Sequence, residues 1–226
     1  MERGGAGLTT VIYNAIIRKP GAASQSRRPS SQGRAVNQSL LILDAFSLSP
    51  GEPAARALAG VLESADAGRL PRFAQWLGLD EAEFWRMLEQ CFPGARAAGW
   101  APESAPVDAA ALPCEFPDLV DMLIASGDAS RPAMRWAAHA LASGCFGGSH
   151  LWQDMGLSGR HDVSRLLQEY FPALYAANTA EMKWKKFFYH ELCRRLDLHP
   201  CPEPSCAACD NYVACHGAET VAVLWR

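Results

Sequence analysis

Four of the chain's eight cysteines fall within fifteen residues near its end, Cys201-Pro-Glu-Pro-Ser-Cys206-Ala-Ala-Cys209-Asp-Asn-Tyr-Val-Ala-Cys215, a C-x4-C-x2-C-x5-C pattern. Thiolate is a soft ligand, and four thiols this close in sequence can converge on one metal ion or cluster. The geometry allows it, because each intervening residue spans at most about 3.5 Å. Pro202 and Pro204 stiffen the first segment. Two disulfides within the loop are the alternative. A cluster of cysteines in a reducing compartment favours metal ligation over it. The metal is less defined. Zinc sites favour paired C-x2-C units separated by a longer insert, and only one such unit is present. The first three cysteines have the C-x4-C-x2-C spacing of plant-type iron–sulfur sites. Spacing therefore favours iron–sulfur and leaves zinc open.

The remaining chemistry-bearing residues are scattered. Cys193 lies eight residues before the loop and reads as a core thiol, with alternate ligation as the second reading. Cys91, Cys114 and Cys145 read as core or surface residues. Lone histidines such as His139 and His161 are usually satisfied structurally. His150, which opens the segment His150-Leu-Trp-Gln-Asp-Met-Gly-Leu157, is scattered from the others in the same way. The chain has no G-x-x-x-x-G-K-[ST] loop, no G-x-S-x-G elbow and no H-E-x-x-H helix. A dithiol redox role for Cys206-Ala-Ala-Cys209 lacks the βαβ context that it needs.

These residues must be held by helices. Asn178 and Glu181 have capping-box spacing, and a helix to about Leu196 is expected behind them. It carries Trp184, Phe187, Phe188 and Leu192 on one face. Lys183, Lys186, His190 and Arg194 lie on the next, a basic face that reads as solvated. Upstream, Ser49-Pro50-Gly51-Glu52 reads as a capping box, followed by a stripe of Ala54, Leu58, Val61, Leu62 and Ala65. A short helix from Phe73 to Leu77 ends at Gly78. Asp80 and Glu83 open a helix bearing Phe84, Met87, Leu88 and Cys91. Residues 93–117 form a Pro/Ala/Gly-rich connector. Helical pattern resumes at Asp118, and Ser130 is expected to cap a helix from Pro132 to Ser143 stopped by Gly144. Leu77-Gly78-Leu79 to Phe92-Pro93 resembles Met155-Gly156-Leu157 to Phe171-Pro172. No alternating strand pattern of useful length occurs.

The expected fold class is all-α, a helical scaffold with a C-terminal cysteine-rich metal-binding loop. The expected organisation is a disordered basic arm over 1–38, a helical domain over 39–199, and the cluster-binding loop and tail over 200–226. Residues 1–40 carry six Lys/Arg against one Glu, while the remainder carries 15 against 23, leaving a net charge of −3. An acidic body argues against nucleic-acid binding. No apolar run approaches the roughly 18 residues of a membrane span, and no signal-peptide pattern opens the chain. A cytoplasmic location with no membrane partner is therefore expected.

Taken together, the cysteine loop, Met182-Lys-Trp-Lys-Lys-Phe-Phe-Tyr189, Leu192-Cys193 and His150-Leu-Trp-Gln-Asp-Met-Gly-Leu157 resemble the NifQ family of nitrogen fixation. The resemblance covers residues 117–226 well and 40–92 loosely, and leaves 1–38 aside. It implies a carrier, not an enzyme, which supplies molybdenum for the iron–molybdenum cofactor of nitrogenase. It implies a molybdenum–iron–sulfur cluster on Cys201, Cys206, Cys209 and Cys215, fed by molybdate or another molybdenum donor. The implied partners are the cofactor-assembly scaffold and the nitrogenase iron protein. Where the family follows its last cysteine with Phe-Gly-Pro-Glu or close to it, this chain has His216-Gly217-Ala218-Glu219, so His216 is an added potential ligand or proton donor. The reading from another class is a structural zinc knuckle closing a helical interaction module.

Overall fold

Glu52 starts the first helix by accepting the Ala55 N–H at 2.9 Å, and Pro53 supplies a first position that needs no donor. The computed structural model describes residues 51–197. Among them the elements are α1 (Pro53–Asp66), a 3-10 turn (Arg72–Trp76), α2 (Glu81–Cys91), a second 3-10 turn (Ala109–Ala111), α3 (Glu115–Ala125), α4 (Met134–Cys145), α5 (Leu151–Asp154), α6 (Arg160–Tyr170), α7 (Pro172–Ala177) and α8 (Trp184–Arg195). No strand occurs among the described residues, so the all-α reading holds there. They divide into two compact units at Ala177/Asn178.

In the first unit α1 and α4 form the centre. α1 packs on α4, α6 and the first 3-10 turn; α4 packs on α1, α3, α5 and that same turn. Both helices bury alanines, with Ala54, Ala57, Ala137, Ala138 and Ala140 fully buried. Met155 is likewise fully buried. A Cβ on Gly60 would stand 2.1 Å from the Met155 carbonyl oxygen, and one on Gly144 would stand 2.8 Å from Met155 Cγ. Gly144 therefore serves packing and does not stop α4, which runs on to Cys145.

The internal resemblance is real in three dimensions. α2 and α6 have eleven residues each and end at Phe92 and Phe171 with matching backbones, φ/ψ −137/60° and −136/54°. The turns before them are hydrogen-bonded differently, Leu79 N–H donating three residues back to Trp76 O and Leu157 N–H five back to Trp152 O. Gly78 and Gly156 take the left-handed conformation at φ 63° and 62°. Phe84, Met87 and Leu88 and their counterparts Val163, Leu166 and Leu167 are all fully buried.

Several boundaries differ from expectation, each for a local reason. Glu52 caps α1 directly, and Gly51 at φ 91° cannot belong to the helix; Ser49 and Pro50 lie outside the described residues. α3 begins at Glu115, three residues before Asp118, because Pro117 sits in the first turn where no N–H is required. Ser130 does not cap α4. Its N–H (2.9 Å) and hydroxyl both go to Asp128 Oδ1, and α4 starts at Met134. Asp80 caps α2 through the Glu83 N–H at 2.8 Å, but the Glu83 carboxylate accepts from Trp136 Nε1 on α4 at 2.8 Å.

Candidate metal centre

The four loop cysteines, Cys201, Cys206, Cys209 and Cys215, and His216 lie outside the described residues. The described chain runs to Asp197, four residues before the first of them. What leads to the loop is α8. It starts at Trp184 with Lys183 as its cap, five residues later than the Asn178 cap predicts. Asn178 instead clasps Met182 from both sides, its Oδ1 accepting the Met182 N–H at 2.8 Å and its Nδ2 donating to the Met182 carbonyl at 2.9 Å. Glu181 then takes φ 50°, which a helix cannot contain.

The expected apolar face of α8 is buried: Trp184, Phe187, Phe188 and Leu192, joined by Tyr189 and Cys193. Cys193 is 7 % exposed, as a core thiol should be. The neighbouring face is less uniformly basic than its sequence. Glu191, 8 % exposed, accepts from Arg194 Nη2 at 2.8 Å and from Nε at 3.1 Å, and its Oε1 lies 3.9 Å from His190 Nδ1. This hydrogen bond and charge raise the Arg194 guanidinium above its ordinary value. Arg194 and Arg195 also occupy the last turn, where cations complement the negative end of the helix. The C-terminal half of this face is thus internally compensated. Lys183, Lys185 and Lys186 lie at the opposite, positive end.

The other sequence candidates have structural surroundings. Cys145 on α4 is 6 % exposed. The Cys91 thiol is pushed up to about 12, first by burial and then by the Glu52 carboxylate. The exposed Cys114 thiol also moves up, through desolvation and then its hydrogen bond to Glu115 Oε2 at 3.4 Å. Both shifts favour thiol over the thiolate a metal requires. His139 faces the Leu77 carbonyl through Nδ1 at 2.9 Å and the Phe116 ring edge-on. Burial holds its imidazole below the ordinary histidine value. His150 caps α5, its N–H reaching Gln153 Oε1 at 3.1 Å, and its ring stacks on Trp152 at 6.5 Å between centroids. His161 Nε2 lies 3.3 Å from Asp162 Oδ1 on an exposed surface. Among the described residues no group of three or more His, Cys, Asp or Glu is arranged to hold a metal ion.

Two clusters were not legible beforehand. Tyr170 donates its hydroxyl to Glu52 while Arg131 lies over its ring at 5.2 Å. Asp66, Gln75 and Ser104 meet although the last two are far apart in sequence. No periodicity or spacing marks such residues, since they belong to different elements.

No helix among the described residues is long and apolar enough to cross a membrane. No solved structure matches the fold. The chain is 35% identical over 156 residues to Protein NifQ of Azotobacter vinelandii, covering 63% of this chain and 78% of that one. It is 32% identical over 180 residues to Protein NifQ of Rhodobacter capsulatus, covering 76% and 95%. To the NifQ homolog of Sinorhizobium fredii it is 33% identical over 165 residues, covering 71% and 69%. The NifQ family profile matches residues 57–217, a stretch that takes in both the helical body and all four loop cysteines, and the chain therefore belongs to the NifQ family.

Proposed function

We propose that this chain carries a molybdenum–iron–sulfur cluster as cargo on Cys201, Cys206, Cys209 and Cys215 and donates molybdenum for assembly of the nitrogenase iron–molybdenum cofactor. Family membership relates the protein to nitrogen fixation and molybdenum handling. The observation that carries the finer reading is that the family match runs through the whole cysteine motif. The donor set fits the cargo. Three thiolates suit an iron–sulfur core whose sulfides hold molybdenum, and a fourth can ligate that metal or let it go. The thiols of Cys91 and Cys114, by contrast, are shifted away from the ligating form.

The protein on this reading is a delivery protein without a turnover reaction of its own. Its recipients are the cofactor-assembly scaffold and the nitrogenase iron protein, and its supply is molybdate or another molybdenum donor. Molybdenum arriving as an oxyanion is drawn by the positive end of α8, where Lys183, Lys185 and Lys186 lie. The setting is cytoplasmic.

Elemental analysis of protein purified without oxygen from molybdate-fed cells tests this. About three irons with fractional molybdenum and matching sulfide support the carrier. One zinc per chain without iron overturns it and leaves a structural zinc knuckle.

A further inference from the structure

α7 ends at Ala177, where the two units join, and α8 begins only at Trp184. The residues between, Asn178-Thr-Ala-Glu-Met-Lys183, form a turn held by Asn178. The Glu181 N–H donates to the Asn178 carbonyl at 3.2 Å, and the Met182 N–H donates to Asn178 Oδ1 at 2.8 Å. Asn178 Nδ2 in turn donates to the Met182 carbonyl at 2.9 Å. This clasp has a backbone cost. Glu181 sits at φ 50°, in the left-handed region where a Cβ meets the following carbonyl.

The same residues have a second way to bond. Asn178-Thr-Ala-Glu181 has the spacing of a capping box, in which the side chains of the cap and of the third helical residue each serve the other's backbone N–H. With Asn178 as N-cap, the two N–H groups of the turn exchange the two oxygens of one residue. The Glu181 N–H goes to Asn178 Oδ1, and the Met182 N–H goes to the Asn178 carbonyl as an i→i−4 bond. The Met182 carbonyl passes from Asn178 Nδ2 to the Lys186 N–H by the same periodicity. Each hydrogen bond of the clasp thus has a counterpart in the helix, and Glu181 leaves the left-handed region. Ala180, Glu181, Met182 and Lys183 are all good helix formers. Thr179, Ala180 and Glu181 are exposed, so no core packing holds them in the turn. Asn178, 8 % exposed, keeps a bonded Oδ1 in both arrangements.

We infer that residues 178–183 are a two-state joint, a clasped turn in one state and an N-terminal extension of α8 in the other, with Asn178 as the residue that switches. The extended state adds five residues to α8, about 7.5 Å of helix axis. The joint lies between the helical body and the segment that carries Cys201, Cys206, Cys209 and Cys215. Switching therefore changes the path of the chain that links them, whichever metal the cysteines hold.

The test uses the full chain labelled with 15N and 13C. It reads Cα shifts over residues 179–183 and relaxation dispersion at the Glu181 and Met182 amides, which reports exchange on the μs–ms scale. The wild type is expected to show a non-helical Glu181 shift and dispersion at both amides. Asn178→Asp keeps the cap acceptor and loses the donor to the Met182 carbonyl, so the shifts over 179–183 should become helical. Glu181→Gly accepts φ 50° without strain and weakens the helix, so it should keep the turn and lose the dispersion. Circular dichroism checks that each variant folds, and Glu181→Gly, at an exposed position, keeps the test decisive if Asn178→Asp does not. Flat dispersion in the wild type, dispersion that persists in Glu181→Gly, or turn or coil shifts over 179–183 in folded Asn178→Asp would each overturn the joint.

Discussion

Gly60 on α1 and Gly156 after α5 bring two backbones into direct apposition: a Cβ on Gly156 would stand 3.0 Å from Gly60 Cα. The reverse substitution is worse, since a Cβ on Gly60 meets the Met155 carbonyl oxygen at 2.1 Å. Gly60 has ordinary helical backbone, so alanine there would otherwise help α1. Gly60→Ala is expected to lower unfolding free energy by about 2–4 kcal/mol through forced separation of α1 and α5. Urea unfolding measures it, and a neutral or stabilising result would contradict the packing described.

Tyr170 and Glu52 tie the end of α6 to the cap of α1. Tyr170→Phe removes a hydrogen bond to a carboxylate and is expected to cost about 1–2 kcal/mol. Glu52→Gln keeps the cap acceptor for Ala55 and should cost less than Glu52→Ala, which removes both bonds. A double-mutant cycle of Tyr170→Phe with Glu52→Ala should show coupling; strict additivity would mean the two side chains act independently.

His139 gives a pH dependence of known sign. Its folded value lies below the ordinary 6.5, with burial the main cause. The folded state thus binds less proton than the unfolded one, so this stability is present above 6.5 and is lost as pH falls through the folded value. Denaturant midpoints should therefore drop between pH 7.5 and 5 more in the wild type than in His139→Gln. Asp66, whose carboxyl burial pushes up to about 6, acts oppositely over part of this range, so the comparison is between the two proteins and not between two pH values of one.

Cysteine substitutions should divide into two classes. Cys201→Ala, Cys206→Ala or Cys209→Ala is expected to reduce iron content with the thermal midpoint of the helical body retained. Cys193→Ser should keep iron content and lower the midpoint, because it places a hydroxyl on the buried face of α8. Unchanged iron in all three loop variants would remove the ligand assignment.

The charge arrangement on α8 makes Arg194 a weak contributor to oxyanion capture. Arg194→Gln is expected to leave the rate of molybdenum loading nearly unchanged at low and at high ionic strength, because its guanidinium is already matched by Glu191. Time courses of molybdenum incorporation check it; a marked slowing confined to low salt would mean that Glu191 does not compensate Arg194.

The sequence by itself determined the helical class, the apolar stripes of α1, α2, α6 and α8, the paired Phe-Pro endings and the cysteine motif that marks the family. These are local or periodic signals, and 3.6-residue periodicity survives in a one-dimensional string. Only the tertiary structure decided what the boundary residues do. Gly144 reads as a stop but lies inside α4 because Met155 and Leu151 leave no room for a Cβ. Asn178 reads as an N-cap, yet its side chain closes a turn on Met182 and α8 starts later. Glu83 reads as half of a capping box, while its carboxylate serves Trp136, 53 residues away. Arg194 reads as part of a basic face, and the buried Glu191 neutralises it. In each case one residue suited two uses by its local sequence, and a packing partner or a geometric fit selected one.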